Sequence, residues 1–345
     1  MSNLDKNVTE AVFDETDTVQ VLALDGGGLK GLHTASVIKS LEDQLGHSIR
    51  EHFDIITGTS TGGLIALALS IGKTGEEIEK FYLDYGHQIF PSRGVEGFFR
   101  SKRHWIGAKY SNHKLKETLL ELLCQSEDKQ PLLRDSQCRL IVPTFTVGES
   151  RPRLLKTPHA ERYKNDWKMP MWAVALATSA APTYLPAFEY EGKTYIDGGV
   201  WANNPSLIGL IEAKDLGAKL SNIKILNIGT TFTNSESMYW KPFFIKTQRS
   251  GLISWARQIL STVMDANGHA TSEMYAHQLL DKGNLFVINK QVDRGEFDLD
   301  KIDNKKFTEM GGAAGEEFFP KLEVAGFFHH TAKPYSPNKK AIGHD

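Results

Sequence analysis

Two apolar runs near the start of this 345-residue chain each end in a glycine-rich turn, and a helical pattern follows each of them. Residues 18–24 enter the turn 25–28, and residues 53–57 enter the turn 58–63. Buried strands that alternate with helices are typical of a mainly parallel sheet with helices on its faces. Such sheets bind their ligands at the carboxyl ends of the strands. We therefore expect an α/β fold with a site built around these two turns.

Hydrophobic periodicity and capping signals predict the remaining elements. The predicted helices cover 32–45, 64–71, 74–89, 115–124, 171–180 and parts of 250–280, and the predicted strands cover 139–147, 193–196, 223–228 and 285–289. We expect the core sheet to end near Gly229. The chain would then divide into a flexible leader (1–17), a core (18–229) and a helical extension (230–345) packed on the core, which is a candidate regulatory segment.

Composition excludes several classes of protein. A formal net charge of -2 argues against a broad basic face for nucleic-acid polymers and against an acidic disordered chain. Cys124 and Cys138 have no metal-ligand spacing and form no disulfide framework, which fits a reducing cytosol. The start lacks a signal-peptide pattern, and the apolar runs are shorter than the roughly 20 residues that span a bilayer. We expect a cytoplasmic protein without a metal that contacts membranes only peripherally.

Residues 58–62 (Gly-Thr-Ser-Thr-Gly) match the nucleophile-elbow pattern Gly-x-Ser-x-Gly. In this motif the flanking glycines, Gly58 and Gly62, permit a strained turn that exposes the serine hydroxyl between a strand and a helix. The alternative is an ordinary turn in which Ser60 caps the next helix. The position between an apolar strand and an apolar helix favours Ser60 as a nucleophile, with the positive end of the helix directed at it.

Residues 26–31 (Gly-Gly-Gly-Leu-Lys-Gly) have two interpretations. They fit the dinucleotide fingerprint Gly-x-Gly-x-x-Gly at a helix N-terminus. That fingerprint needs an acidic residue at the end of the second strand, whereas Asp54 lies within the strand that leads to Ser60. Consecutive glycines also bring backbone N–H groups close to a developing alkoxide, where each donor is worth on the order of 3 kcal/mol in acyl transfer. We favour an oxyanion hole.

Asp197 supplies a carboxylate at a third strand end. It follows the strand-like residues 193–196 and precedes Gly198 and Gly199. Taken alone, Asp-Gly is common in hairpin turns. In the company of an elbow serine and a glycine loop, it indicates a serine acyl hydrolase in which Asp197 assists Ser60.

These three motifs resemble those of the patatin-like phospholipase family, as do residues 180–184 (Ala-Ala-Pro-Thr-Tyr) and 203–205 (Asn-Asn-Pro). The resemblance covers about residues 19–229. It implies a three-layer fold, a Ser60–Asp197 dyad without a metal, and phospholipase A-type cleavage of fatty acyl esters. The implied oxyanion donors are Gly27 and Gly28, and the implied supporting residues are Gly26, Lys30, Gly31, Gly58 and Gly62. Lys30 stands where the family more often carries Arg, which keeps the charge and loses the bidentate geometry.

A dyad makes a chemical demand on its acid. A carboxylate with the pKa of about 4 that it has in water is a poor base for a serine hydroxyl, and desolvation strengthens it. We therefore predict that Asp197 is buried and forms a direct hydrogen bond with Ser60. The alternative is a Ser-Asp-His esterase, in which a later histidine completes a triad. The candidates are His269, His277, His329, His330 and His344.

Partners can be inferred from the same resemblance. Phospholipid substrates imply peripheral contact with a membrane surface, and the Phe pairs 98–99, 243–244 and 327–328 are candidate docking points. Compact chains with these motifs also look like the cyclic-nucleotide-activated phospholipases of bacterial antiphage systems, which implies a cyclic dinucleotide activator. A hypothesis of another class is a nucleotide-binding protein whose glycine loop holds the nucleotide while Ser60 only caps a helix.

Overall fold

The computed structural model of the chain describes residues 11–89, 111–124, 129–233, 263–264, 266, 268, 273–292 and 302–343. The strands in these ranges are β1 (Val19–Leu24), β2 (Ile55–Gly58), β3 (Arg139–Thr146), β4 (Arg151–Lys156), β5 (Phe188–Tyr190), β6 (Lys193–Asp197), β7 (Ile223–Ile228), β8 (Phe232–Thr233), β9 (Leu285–Ile288) and β10 (Gln291–Val292). The helices are α1 (Gly31–Leu45), α2 (Thr61–Ser70), α3 (Gly75–Ile89), α4 (Asn112–Leu123), α5 (Met171–Ser179), α6 (Gly199–Ala202), α7 (Ser206–Asp215), α8 (Met274–Leu279), α9 (Asn304–Val324) and α10 (Lys339–Ile342).

The central sheet has eight strands in the described ranges. Seven of them follow the order β5-β6-β3-β2-β1-β7-β9, and β4 also pairs with β3. The run β3-β2-β1-β7-β9 is parallel throughout, whereas β4 and β6 are antiparallel to β3. The pairing of β7 with β9 shows that the expected end of the sheet near Gly229 was wrong, because the chain returns to the sheet at residues 285–288.

Side chains alternate between the two faces of the sheet, as β1 illustrates. Leu22 and Leu24 pack in one apolar core together with residues of α1, α2 and α5. Val21 and Ala23 point to the other face and pack in a second core with residues of α7. All four side chains are fully buried, as expected for a parallel sheet that helices cover on both faces. The predicted α/β fold with three layers is confirmed.

Helix α9 packs along α1 through two glycines. A Cβ at Gly311 would lie 2.6 Å from the carbonyl oxygen of His33, and a Cβ at Gly315 would lie 2.5 Å from the Cβ of Ser40. The small residues on one face of α9 therefore allow the two helices to approach closely. The late helix is attached directly to the helix that follows the glycine loop.

The first described residues are anchored to the fold. Phe13 is fully buried, and the N–H groups of Val12 and Phe13 donate to the carbonyl oxygen of Leu216 at 2.9 and 3.0 Å. The expectation of a flexible leader up to residue 17 was therefore wrong for these residues. The buried ring of Phe13 and these two backbone hydrogen bonds hold the segment against the fold.

The predicted membrane-docking points have different outcomes. Phe327 is fully buried, and Phe328 stacks on Phe319 with a centroid distance of 5.0 Å, so the pair 327–328 belongs mainly to the core. The pairs 98–99 and 243–244 lie outside the described residues. Within the described ranges, no helix combines the length and the apolar character that crossing a bilayer requires.

Candidate active site

Strands β2 and β6 meet end to end along one edge of β3. Ile141 of β3 pairs with β2 and with β4, and Thr144 pairs with β4 and with β6, so β2 and β6 share the edge opposite β4. Because β2 is parallel and β6 is antiparallel to β3, their carboxyl ends point toward each other. Ser60 follows β2, and Asp197 is the last residue of β6. The topology of the sheet therefore brings these two residues to one point.

Ser60 has a strained backbone conformation, with φ 53° and ψ -120°. Non-glycine residues rarely adopt a positive φ, and the surrounding structure must maintain it. Gly62 allows α2 to approach the end of β1, because a Cβ there would overlap the carbonyl oxygen of Leu24. A Cβ at Gly58 would likewise overlap the carbonyl oxygen of Gly62. The Ser60 hydroxyl forms no capping bond with the described residues of α2, which argues against the helix-cap alternative.

The hydroxyl of Ser60 donates a 2.7 Å hydrogen bond to Oδ2 of Asp197. The N–H of Gly199 donates a 2.7 Å bond to the other carboxylate oxygen, Oδ1. Asp197 is fully buried, and this burial raises its pKa to about 6, although both hydrogen bonds oppose the shift. The predicted burial and the predicted direct contact are both present. A carboxylate with this pKa is a stronger base than one in water and is still ionised at neutral pH.

The glycine loop lies beside the same point. Gly28 has φ 60°, which glycine adopts at no steric cost, and begins a short 3-10 turn that leads into α1. The N–H of Gly26 donates to the carbonyl oxygen of Asn203 at 3.0 Å, and the N–H of Lys30 donates to that of Gly27 at 3.2 Å. The N–H groups of Gly27 and Gly28 have no acceptor among the described residues, which leaves both available to a ligand.

Two contacts fix the ends of the loop. Thr230 Oγ1 donates a 2.8 Å bond to the carbonyl oxygen of Gly26. Gly31 begins α1 where it passes α2, and a Cβ there would overlap the hydroxyl of Thr61. Lys30 is half-buried at the end of the 3-10 turn. Of the supporting residues predicted from the sequence, Gly26, Lys30 and Gly31 thus lie in the loop, and Gly58 and Gly62 lie in the elbow.

Asn227 connects the start of the glycine loop to β7. Its Nδ2 donates to Oδ1 of Asp25 at 2.7 Å and to the carbonyl oxygen of Ala23 at 3.1 Å. Its Oδ1 accepts a 3.2 Å bond from Asn204, which belongs to the Asn-Asn-Pro motif. Asn227 belongs to none of the motifs that predicted the site from the sequence. The available signal was one polar residue inside the otherwise apolar second half of β7.

An apolar cavity adjoins the dyad. Ser60, Asp197 and Gly28 line it together. Its other walls are mainly apolar and include Leu64, Phe81, Tyr82, Leu115, Leu185 and Met264. Such walls suit a hydrocarbon chain whose ester group lies at the serine.

The dinucleotide interpretation of the glycine loop lacks its acidic partner. Asp54 precedes β2, at the opposite end of that strand from Ser60. Its Oδ2 pairs with Nε2 of His330 at 2.7 Å, and its Oδ1 accepts the N–H of Lys333 at 2.6 Å. Asp54 therefore secures a later segment of the chain and is not near the loop.

The described histidines after Asp197 do not complete a triad. His277 and His329 are exposed, and His330 pairs with Asp54. His269 and His344 lie outside the described residues. In the described part of the chain, no three His, Cys, Asp or Glu residues are grouped so that they could hold a metal ion.

A mainly parallel sheet that carries an elbow serine bonded to a buried carboxylate, beside an apolar cavity, is the arrangement of an acyl hydrolase for apolar esters. The family model described as patatin-like phospholipase matches residues 22–209. The chain therefore belongs to the patatin-like phospholipase family and is a lipid-ester hydrolase.

Three relatives share the name cGAMP-activated phospholipase. The protein from Vibrio cholerae serotype O1 is 30% identical over 92% of this chain and 96% of its own length. The protein from Escherichia coli is 30% identical over 92% of this chain and 94% of its own length. The protein from Pseudomonas aeruginosa is 37% identical over 62% of each chain.

Proposed function

We propose that this enzyme removes fatty acyl chains from membrane phospholipids with a Ser60–Asp197 dyad. The observation that carries the proposal is the 2.7 Å hydrogen bond from Ser60 Oγ to a buried carboxylate beside an apolar cavity. Membership of the patatin-like phospholipase family supports a phospholipid as the substrate.

In the proposed reaction, Asp197 accepts the hydroxyl proton of Ser60 as Oγ attacks the acyl carbonyl carbon. The N–H groups of Gly27 and Gly28 stabilise the oxyanion by hydrogen bonding, and the positive end of the α2 dipole stabilises its negative charge further. The tetrahedral intermediate then releases the alcohol, which takes the proton from Asp197. A water molecule then gives a proton to Asp197 and attacks the carbonyl carbon of the acyl-enzyme. The fatty acid leaves as the bond to Oγ breaks, and Asp197 returns the proton to Oγ, which restores Ser60.

Fatty acid release from mixed phospholipid vesicles tests this proposal. Ser60→Ala and Asp197→Asn should each lower the rate by roughly 10³-fold or more, since each removes a member of the reacting pair. A fluorophosphonate probe should label the wild-type protein at Ser60 and should not label Ser60→Ala. Circular dichroism should show that both variants are folded. A folded Asp197→Asn variant with normal activity would remove Asp197 from the mechanism.

A cyclic dinucleotide is the proposed activator, in an antiphage role. The support is the name cGAMP-activated phospholipase that three relatives share, two of which match more than nine tenths of this chain. Fatty acid release should therefore be low in the absence of nucleotide and should rise when cGAMP is added. High basal turnover that no cyclic dinucleotide alters would contradict the proposed activation and leave the proposed hydrolysis standing.

The proposed setting is the cytoplasmic face of a membrane. Residues 18–229 carry the proposed catalytic residues, and residues 230–345, which also contribute β9 to the central sheet, are the proposed regulatory extension. The apolar cavity supports lipid contact. Co-sedimentation with phospholipid vesicles tests the docking point at residues 98–99. Replacing both Phe residues by Ser should weaken binding, and unchanged binding would exclude that pair.

A further inference from the structure

Thr178, near the end of α5, contacts both sides of the dyad. Its side chain is fully buried. The hydroxyl accepts a 2.9 Å bond from the N–H of Ser60 and donates a 2.6 Å bond to the carbonyl oxygen of Pro143. Its own carbonyl oxygen accepts the N–H of Gly198, the residue after Asp197, at 3.3 Å.

The Thr178 hydroxyl occupies a gap in the sheet. On the shared edge of β3, register pairs with β2 stop at Ile141 and register pairs with β6 begin at Thr144. Pro143 lies in this gap, and its carbonyl oxygen accepts the hydrogen bond that the Thr178 hydroxyl donates. A hydroxyl has one proton to donate and lone pairs to accept, so both bonds of Thr178 are made at once.

The end of α5 also positions the base. The last carbonyl groups of a helix have no partner within it and remain free to accept other bonds. Here the carbonyl oxygen of Ala177 accepts from Thr144 Oγ1 at 2.9 Å, and that of Ala180 accepts the N–H of Asp197 at 3.0 Å. The helix end therefore fixes the strand that carries the base, while the Thr178 side chain reaches the nucleophile.

We infer that Thr178 is a positioning residue, which holds the strained backbone of Ser60 so that Oγ points at Asp197. The inference rests on the roles proposed above for Ser60 and Asp197. The N–H of Ser60 is buried at a positive φ, and the Thr178 hydroxyl is its acceptor. Without that acceptor the elbow would relax toward an ordinary backbone conformation, and the hydroxyl of Ser60 would no longer point at Asp197.

Replacement of Thr178 by Val removes the hydroxyl and keeps the size of the side chain. Thr178→Val should lower kcat about 10²-fold with KM within about twofold, because a misplaced nucleophile slows the chemical step and leaves the binding cavity intact. Thr178→Ser should retain kcat within about threefold, since serine keeps the hydroxyl. If the Ser60 hydroxyl no longer donates to Asp197, the pKa of Asp197 rises further. The acid limb of the pH–rate profile of Thr178→Val should therefore move to higher pH.

Thr157→Val is the matched control. Thr157 is equally buried, and its hydroxyl accepts the N–H of Leu140 at 3.0 Å, away from the dyad. The control should lose stability but keep the kcat of the wild type. If Thr178→Val does not fold, Thr178→Ala is the second variant that lacks the hydroxyl, because it places no methyl group against the Ser60 N–H.

Labelling of the wild type by a fluorophosphonate separates the two levels of the proposal. An unlabelled wild type would contradict the proposed nucleophile itself. If the wild type is labelled, two results would overturn the positioning role of Thr178. One is a normal kcat in a folded variant that lacks the hydroxyl at position 178, and the other is an equal loss of kcat in Thr157→Val. A loss confined to the variants at 178 that lack a hydroxyl would support it.

Discussion

The α-carbon of Gly198 lies against the carbonyl oxygen of Pro143, so closely that a Cβ on Gly198 would overlap it. Gly198 has φ -63°, which every residue adopts readily, so the position requires space and not an unusual backbone conformation. The contact occurs where β6 ends against β3 and where Asp197 reaches Ser60. The glycine after the base therefore sets how closely β6, the strand that carries Asp197, can approach β3.

Gly198→Ala should damage both stability and activity. The added methyl group must push β6 away from β3, which should cost about 1–3 kcal/mol of unfolding free energy and lower kcat by at least roughly tenfold. Urea unfolding and fatty acid release measure the two effects. Gly148→Ala is the control, since a Cβ at Gly148 meets no atom within 4 Å. Equal behaviour of the two alanine variants would contradict this account of Gly198.

Asp197→Asn should make the protein more stable at neutral and alkaline pH. Burial raises the pKa of Asp197 from 3.8 to about 6 in the folded state. Below pH 3.8 the carboxyl group is protonated in both the folded and the unfolded protein, so it does not lower the free energy of unfolding. As the pH rises through about 6, the folded protein must hold a desolvated charge, and stability falls by up to about 3 kcal/mol. The asparagine variant carries no such charge.

The stability difference between Asp197→Asn and wild type should therefore grow from pH 4 to pH 8. Urea unfolding at pH 4, 6 and 8 measures this trend. Asp281→Asn, at an exposed position, should show no comparable gain at pH 8. A difference that stays constant over this range, or that reverses its sign, would show that the carboxylate is not held at a cost in the folded protein.

The sequence predicted the elements that carry the site because each has a strong local signal. The apolar run of β1, the small apolar residues of α2 and the glycine pattern around Ser60 need no distant partner to be recognised. Burial of Asp197 followed from the chemistry of a dyad. The contact between Ser60 and Asp197 was predictable for the same reason.

Tertiary features were less accessible. Periodicity predicts strands at residues 193–196 and 285–289, but it does not show that β6 is antiparallel to β3 or that β9 pairs with β7. Thr178 and Asn227 each lie within an apolar segment, where one polar side chain gives no indication of its partner. Their roles depend on residues that are distant in sequence and become neighbours only in the folded sheet.

Activity should depend on an acidic group with a pKa near 6. Asp197 must be ionised to accept the proton of Ser60, and burial raises its pKa to about 6. The value of kcat/KM should therefore rise about tenfold per pH unit well below pH 6 and reach a plateau above pH 7. Hydrolysis of a soluble ester from pH 4.5 to 8 measures the profile. A profile that is flat across pH 6 would exclude Asp197 as the base.

Asn227→Leu should loosen the glycine loop from β7. The substitution keeps the approximate size of the side chain but removes the donor to Asp25 and Ala23 and the acceptor for Asn204. Buried polar groups that lose their partner cost about 1–3 kcal/mol, so urea unfolding should show a loss of that size. Because Asp25 leads directly into the proposed oxyanion donors, kcat should also fall while the labelling site for fluorophosphonates remains Ser60.

Asn284→Leu provides the comparison for this last variant. Asn284 also donates a side-chain hydrogen bond to a backbone carbonyl group, that of Ser221 at 3.1 Å, but it does so at the surface. Water can replace that bond, and we expect a change within about 0.5 kcal/mol and unaltered turnover. Equal losses in the two leucine variants would mean that the bonds of Asn227 do not hold the loop. A loss of stability in Asn227→Leu without any loss of kcat would mean that the loop keeps its shape without them.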